Sequence, residues 1–169
     1  MKLTRSWIVV VAAALCVAGA FTAWRVLGAR EAAPPVSYIL LDGSKSSTEA
    51  QRGKVLLVNF WATSCVACVA EMPQIVSTHQ KFKAHGYETV AVAMNYDQPA
   101  FVAHFAQSRA LPFGVVFDQS GEVARAFGDV RLTPTTFLID KQGRIVKRYL
   151  GTPDFVALDN LISELLAES

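Results

Sequence analysis

An apolar run, Val55-Leu56-Leu57-Val58-Asn59-Phe60, broken only by Asn59, is followed five residues later by Cys65 and then by Cys68. A β-branched run of this length suits a strand covered on both faces, so the chain has to supply layers for each side of a sheet. Two further runs, residues 88–94 and 115–117, read the same way and imply a mostly parallel central sheet. Between the first two, Val66, Val69, Met72, Ile75, Val76 and Phe82 recur at helical spacing. They predict a helix over 65–85 that stops at Gly86 and kinks at Pro73. Shorter helices are predicted over 99–108, with Asp97 as a candidate cap, and over 122–127. Residues 136–140 and 144–150, joined through Lys141-Gln142-Gly143, read as a β-hairpin. Thr152-Pro153-Asp154 then opens a final helix with Phe155, Leu158, Leu161, Ile162 and Leu165 on one face. The order βαβαβαββα is an α/β sandwich of about 130 residues, enough for one core.

At 52% apolar residues, the 169-residue chain is richer than such a domain requires, and the excess sits at its start. Residues 7–24 carry no charge, are bounded by Trp7 and Trp24, and are flanked by Lys2, Arg5 and Arg25. As a helix this run spans about 27 Å, just enough to cross a bilayer. Lys2 and Arg5 would keep the short tail inside and export the remainder of the chain. Residues 1–29 therefore read as a transmembrane anchor or signal segment, with Ala18-Gly19-Ala20 as the cleavage site of the competing signal-peptide reading. Cys16 is then membrane filler, 30–35 a short stiff linker, and 36–169 the folded domain. The expected location is the extracytoplasmic or periplasmic side of a bacterial cytoplasmic membrane, attached by a single pass. From Val36 onward twelve basic and thirteen acidic side chains nearly cancel, with no Lys or Arg run to track a phosphate backbone. Nucleic acid is not an expected partner.

The chemistry concentrates in Trp61-Ala62-Thr63-Ser64-Cys65-Val66-Ala67-Cys68, at the junction of strand and helix. Helix positions three apart share a face, so the two sulfurs can reach bonding distance. The first lies near the unpaired amides of the helix start, which favour a thiolate. Cys65 is thereby the expected nucleophile, and Cys68, one turn in, resolves the mixed disulfide. Two other uses of the pair compete. A zinc site would need further ligands from His79, His85 and His104, with no second cysteine pair to help. A purely structural disulfide would close so small a loop that it adds little. The three histidines read as structural or surface residues, with His79 and His85 near the end of the long helix, where a protonated ring suits the dipole.

Residues 59–68, together with Glu71-Met72-Pro73 and Thr133-Pro134-Thr135-Thr136-Phe137-Leu138-Ile139-Asp140, resemble the membrane-anchored TlpA/ResA branch of the thioredoxin fold. The resemblance runs from about Val36 to Ala167, and residues 97–118 are similar to the helix and strand which that branch inserts. It implies a central mixed sheet flanked by helices and a thiol–disulfide oxidoreductase with no cofactor beyond the Cys65–Cys68 pair. It further implies protein disulfide or dithiol substrates, a membrane thiol electron donor, and service to cytochrome c maturation or copper-site assembly. Carried over residue by residue, Cys65, Cys68 and Glu71 would be catalytic, and Trp61, Thr133 and a cis Pro134 would contact substrate. Ser64 stands where the family usually has tryptophan, and Val66-Ala67 replaces a proline-containing dipeptide. Asn59 occupies the place of the buried aspartate of cytoplasmic thioredoxins and, as a neutral amide, cannot act as a base. Two alternatives use the same cysteines: a disulfide-forming oxidant, and a Cu(I)-binding or copper-delivery module.

Overall fold

The computed structural model describes residues 10, 15, 16 and 30–168. The chain separates into two units, Met1–Arg30 and Glu31–Ser169. Of the first, Val10, Leu15, Cys16 and Arg30 are described, so the membrane span expected over 7–24 lies otherwise outside the described residues. No helix among the described residues is long and apolar enough to cross a membrane.

In the second unit a short hairpin of β1 (Ser37–Ile39) and β2 (Lys45–Ser47) precedes β3 (Val55–Trp61), α1 (Val66–Phe82), β4 (Tyr87–Ala93) and α2 (Pro99–Ser108). β5 (Gly114–Phe117), α3 (Glu122–Ala126), β6 (Thr135–Ile139), β7 (Ile145–Leu150) and α4 (Phe155–Ala167) complete it. Five strands form one sheet in the order β5-β4-β3-β6-β7. The β3/β4 and β4/β5 pairs are parallel, while β3/β6 and β6/β7 are antiparallel. The sheet is therefore mixed, and the mostly parallel arrangement read from the first three runs holds for only half of it. The reason is the β6–β7 hairpin, which enters beside β3 in the reverse direction.

All seven side chains of β3 are buried, as its composition requires. Successive residues of a strand face opposite sides, and here each side has its own core. Val55, Leu57 and Trp61 pack with Cys68, Met72 and Ile75 of α1, Val102 of α2, and Leu158, Ile162 and Leu165 of α4. Leu56, Val58 and Phe60 pack with Tyr38 of β1, Val90 and Val92 of β4, Val123, Phe127 and Phe137. The β1–β2 hairpin was not legible in the sequence because its Lys45-Ser46-Ser47 strand is short and polar. It also shields the outer edge of β5, where the Leu41 amide donates to the Val115 carbonyl at 2.8 Å.

Residues 31–34, expected to belong to a short stiff linker over 30–35, are bonded to the folded unit. Ala33 donates to the Gly143 carbonyl at 2.9 Å, Ile145 donates to the Glu31 carbonyl at 2.7 Å, and the Thr48 hydroxyl donates to the Pro34 carbonyl at 2.6 Å. One amide and two carbonyls of this stretch are thus partnered by residues 143–145 and Thr48 rather than by water. α1 runs unbroken through Pro73, which lies on its exposed face, where the Val69 carbonyl that loses its helical donor can turn toward water.

His79, read as a structural or surface residue near the helix end, is structural: it is fully buried. Its Nδ1 lies 3.1 Å from the Thr89 hydroxyl, and its ring meets Phe113 edge-on at 5.3 Å. Burial holds its pKa below the ordinary histidine value and Lys83 adds to this, while Glu88 and the Pro112 carbonyl oppose. His85 and His104 are exposed. A histidine that folds neutral costs stability wherever the unfolded chain is protonated. The contribution is therefore intact above the unfolded pKa of about 6.5 and is lost as pH falls through the depressed folded value. Thermal unfolding of the oxidised protein across this range should show a steeper acid decline for wild type than for His79→Gln, which keeps a hydrogen-bonding side chain that does not titrate.

Candidate functional site

Cys65 is the residue that starts α1, with extended backbone angles of φ −88° and ψ 104°. Its sulfur accepts from the Cys68 amide at 3.2 Å, and its carbonyl accepts from the Val69 amide at 3.0 Å. The sulfur thus occupies the position where a helix start stabilises negative charge. The two cysteines are joined as a disulfide with Cα atoms 5.2 Å apart. Cys65 is half-buried and Cys68 is inaccessible. A nucleophile arriving from, or aimed at, a partner can reach only the first.

Behind the pair, Glu71 lies one turn beyond Cys68 and is only 2% exposed. It is not the solvated helix charge that glutamate usually is. Asn59 of β3 donates through Nδ2 to Glu71 Oε1 at 3.0 Å and to the Thr136 hydroxyl of β6 at 2.9 Å. Thr136 is opposite Asn59 in the antiparallel ladder, which explains how one amide serves both. Burial pushes the Glu71 carboxyl above the usual carboxylate range, with Thr152 and Asn59 opposing the shift. Oε2 remains buried without a partner of hydrogen-bonding geometry. A carboxyl in such surroundings holds or takes up a proton near neutral pH more readily than an exposed one.

In front of the pair, the chain between β3 and α1 is pinned at both ends. The Cys65 amide donates to the Ala62 carbonyl at 3.1 Å. Thr63 donates its amide and its hydroxyl to Asp97, the hydroxyl at 2.7 Å, and Asp97 is buried and also accepts from the Gln98 amide at 2.8 Å. Asp97 does not cap α2 as its sequence position suggested, since Gln98 holds the cap position and the helix start has no side-chain cap; besides accepting from Gln98, Asp97 fixes the cysteine loop. Nothing local announced the second role, because Thr63 is 34 residues away.

The Thr133–Pro134 bond is cis. Phe60 pairs with Thr135 in the sheet, so Pro134, one residue earlier, belongs to the same end of the sheet as Trp61 and the cysteine loop. Pro134 is buried, Thr133 is half-buried, and the Pro134 carbonyl accepts from Gly151 at 2.9 Å. The structure therefore brings Cys65, Cys68 and Glu71 together on α1 and sets Thr133 and Pro134 at the same end of the sheet. Trp61 is the exception. The sequence reading puts it at the substrate surface, yet it is wholly buried and its ring lies 5.0 Å from that of Phe105, so it supports the core beneath the loop. The period of β3 explains this, since Trp61 shares the face of Val55 and Leu57. Asn59, Asp97 and Thr136 are the site residues the motif did not single out as participants.

The chain is similar to known proteins over most of its length. The redoxin family model matches residues 29–162. The thiol–disulfide oxidoreductase ResA of Bacillus thuringiensis is 31% identical over 147 residues, covering 87% of this chain and 84% of that one. The solution structure of a thioredoxin-like protein from Neisseria meningitidis superposes with a TM-score of 0.77 at 38% identity, over 83% of this chain and 93% of that one. A Chlorobium tepidum protein described as thiol:disulfide interchange protein DsbE gives 0.75 at 28% identity, over 82% and 97%. With a matching family model over most of its length, a disulfide between Cys65 and Cys68 at a helix start, and ResA relatives of comparable size, the chain belongs to the redoxin family as a thioredoxin-like, ResA-related thiol–disulfide oxidoreductase.

Proposed function

We propose that this oxidoreductase works outside the cytoplasmic membrane, reducing disulfides of partner proteins through Cys65 and Cys68. The observation that carries the reading is the asymmetry of the pair: a half-exposed sulfur at a helix start, and a fully enclosed one beside a buried carboxyl. In the reduced protein the Cys65 thiolate attacks one sulfur of the partner disulfide. A Cys65–partner mixed disulfide forms, and the partner's other sulfur leaves as a thiolate. The Cys68 thiol gives its proton to the Glu71 carboxylate, and its sulfur attacks Cys65 Sγ. That step closes the Cys65–Cys68 disulfide and releases the second partner thiolate, so two electrons pass to the partner. Regeneration requires two electrons from a membrane thiol donor. The pair itself is the redox group, and no further cofactor enters the cycle.

Thr133 and Pro134 are the residues against which an extended partner segment would pair its backbone, like a strand added to the end of the sheet. Apocytochrome c or a copper-site assembly protein fits this role, since each must present reduced cysteines to accept its haem or metal. The extracytoplasmic assignment is supported by the uncharged run 7–24 with its flanking Lys2, Arg5 and Arg25.

Cys65→Ser should abolish exchange, whereas Cys68→Ser should trap partners as mixed disulfides, and in the reduced protein Cys65 should alkylate faster than Cys68. Faster alkylation of Cys68 would reverse the assignment. Glu71→Gln should slow resolution of the mixed disulfide on the order of 10²-fold, the usual scale for a positioned acid–base group. The same substitution tests the burial of the carboxyl. A folded pKa raised above the unfolded one favours the folded state at low pH, and this contribution is lost as pH rises through the folded value. Glu71→Gln, neutral throughout, should therefore melt higher than wild type at neutral pH and lose that advantage near about pH 4. For the anchor, an alkaline wash of membranes should leave the full chain behind, and N-terminal sequencing should find no new terminus at Phe21.

A further inference from the structure

The turn after β4 ties together the two loops that flank the cysteine pair. Asp97 holds Thr63, two residues before Cys65, by both its amide and its hydroxyl. The adjacent Tyr96 reaches the other way, its hydroxyl 3.0 Å from that of Thr133, next to Pro134. Its ring is nevertheless 55% exposed, so it contributes little to the core. Exposed neighbours of Cys65 and Thr133 in the chain are apolar or small: Val66 is 85% exposed, Leu132 is 63% exposed, and Ser64 and Ala67 are exposed. Arg131, the nearest cation in sequence, is paired with Asp129.

We propose that Tyr96 is a specificity-determining residue for thiol–disulfide exchange. Its ring forms one wall of the groove that receives an extended partner segment and selects segments with an apolar side chain beside the reacting cysteine. The inference rests on the exchange reading above and names the partner feature that reading leaves open. Three observations carry it. Ser64 and Val66 beside Cys65 carry no ring and Trp61 is buried, whereas Tyr96 exposes one beside Thr133. The ring is held before any partner arrives, at its hydroxyl by Thr133 and through its neighbour by the Asp97–Thr63 bonds, so little side-chain freedom is lost on docking. An amphipathic ring with its hydroxyl occupied presents its apolar face outward, which matches Val66 and Leu132 and gives no partner to a charged side chain.

The test uses the full reduced chain and three oxidants. Two are synthetic peptides with one internal disulfide each, the first with leucine and phenylalanine beside the cysteines and the second with serine and aspartate. The third is glutathione disulfide. Wild type should favour the apolar peptide. Tyr96→Ala should raise its KM about tenfold, the scale of losing one hydrophobic contact surface, and leave the polar peptide's KM, kcat and the midpoint potential unchanged. Tyr96→Phe, which keeps the wall and loses only the Thr133 bond, should raise KM about threefold. An unchanged KM for the apolar peptide in Tyr96→Ala would overturn the proposal, as would an equal rise for both peptides. A shift in midpoint potential accompanying the KM change would also overturn it, because Tyr96 would then act on the cysteines themselves. Failure of wild type to react with all three oxidants would instead overturn the exchange reading.

Discussion

The sheet's middle strand is removed from water on both faces along its whole length, and most of the architecture answers to that requirement. Each face of β3 needs a covering layer, which α1, α2 and α4 provide on one side and β1, α3 and the Phe127–Phe137 cluster on the other. The strand also has to stop where the layers stop. Beyond Trp61 the chain leaves the core and has to turn, and the turn delivers the next helix start at the rim of the sheet. Unpaired helix amides and the end of a buried strand therefore coincide. Cys65 occupies that coincidence: close enough to the core for its partner Cys68 to be enclosed, and far enough out to be touched.

Two buried carboxylates border this point and are treated differently. Asp97 accepts from the Thr63 amide, the Thr63 hydroxyl and the Gln98 amide, so its charge is spread over three donors and its position is fixed. Glu71 has the Asn59 amide on one oxygen and nothing of good geometry on the other. A buried acceptor left short of donors favours protonation over ionisation. One acid is thus a strut and the other is left short of donors, although both are acidic residues near the same cysteines. The distinction comes from hydrogen-bond supply, not residue type.

The fold was legible in the sequence wherever it depended on periodicity. The strand at Val55–Trp61, the amphipathic α1, the β6–β7 hairpin and the helix-start position of Cys65 arise from local patterns that physics constrains strongly. The features that escaped depend on partners distant in sequence. His79 carries the same letters whether it faces water or Phe113, and only the packing of β4 and the Phe113 loop decides. Trp61 looked like a binding aromatic because it sits beside the cysteine motif, whereas the alternation along β3 turns it inward. Glu71 was marked by family resemblance, but its burial and its bond to Asn59 required the register of β3 on α1. Residues 31–34 had the composition of a linker, and composition says nothing of the vacant hydrogen-bonding edge beside Gly143 that they fill.

The contacts of those residues also fix the end of the sheet at which the chain enters the folded unit. Glu31 and Ala33 bond to the stretch 143–145, and Lys141 Nζ donates to the carbonyls of Leu166 and Glu168 near the end of α4. Ile139 pairs with both Leu56 and Ile145, which marks this as the end of the sheet where β3 begins, whereas Cys65 lies beyond the end where β3 finishes. Entry and exit of the folded unit therefore lie at one pole and the reactive sulfurs at the other. The seven residues of β3 set a separation of roughly 20 Å between them at about 3.3 Å per residue. Within the folded unit, a partner segment at Cys65 and the chain at Glu31 and Glu168 therefore occupy opposite ends of the sheet.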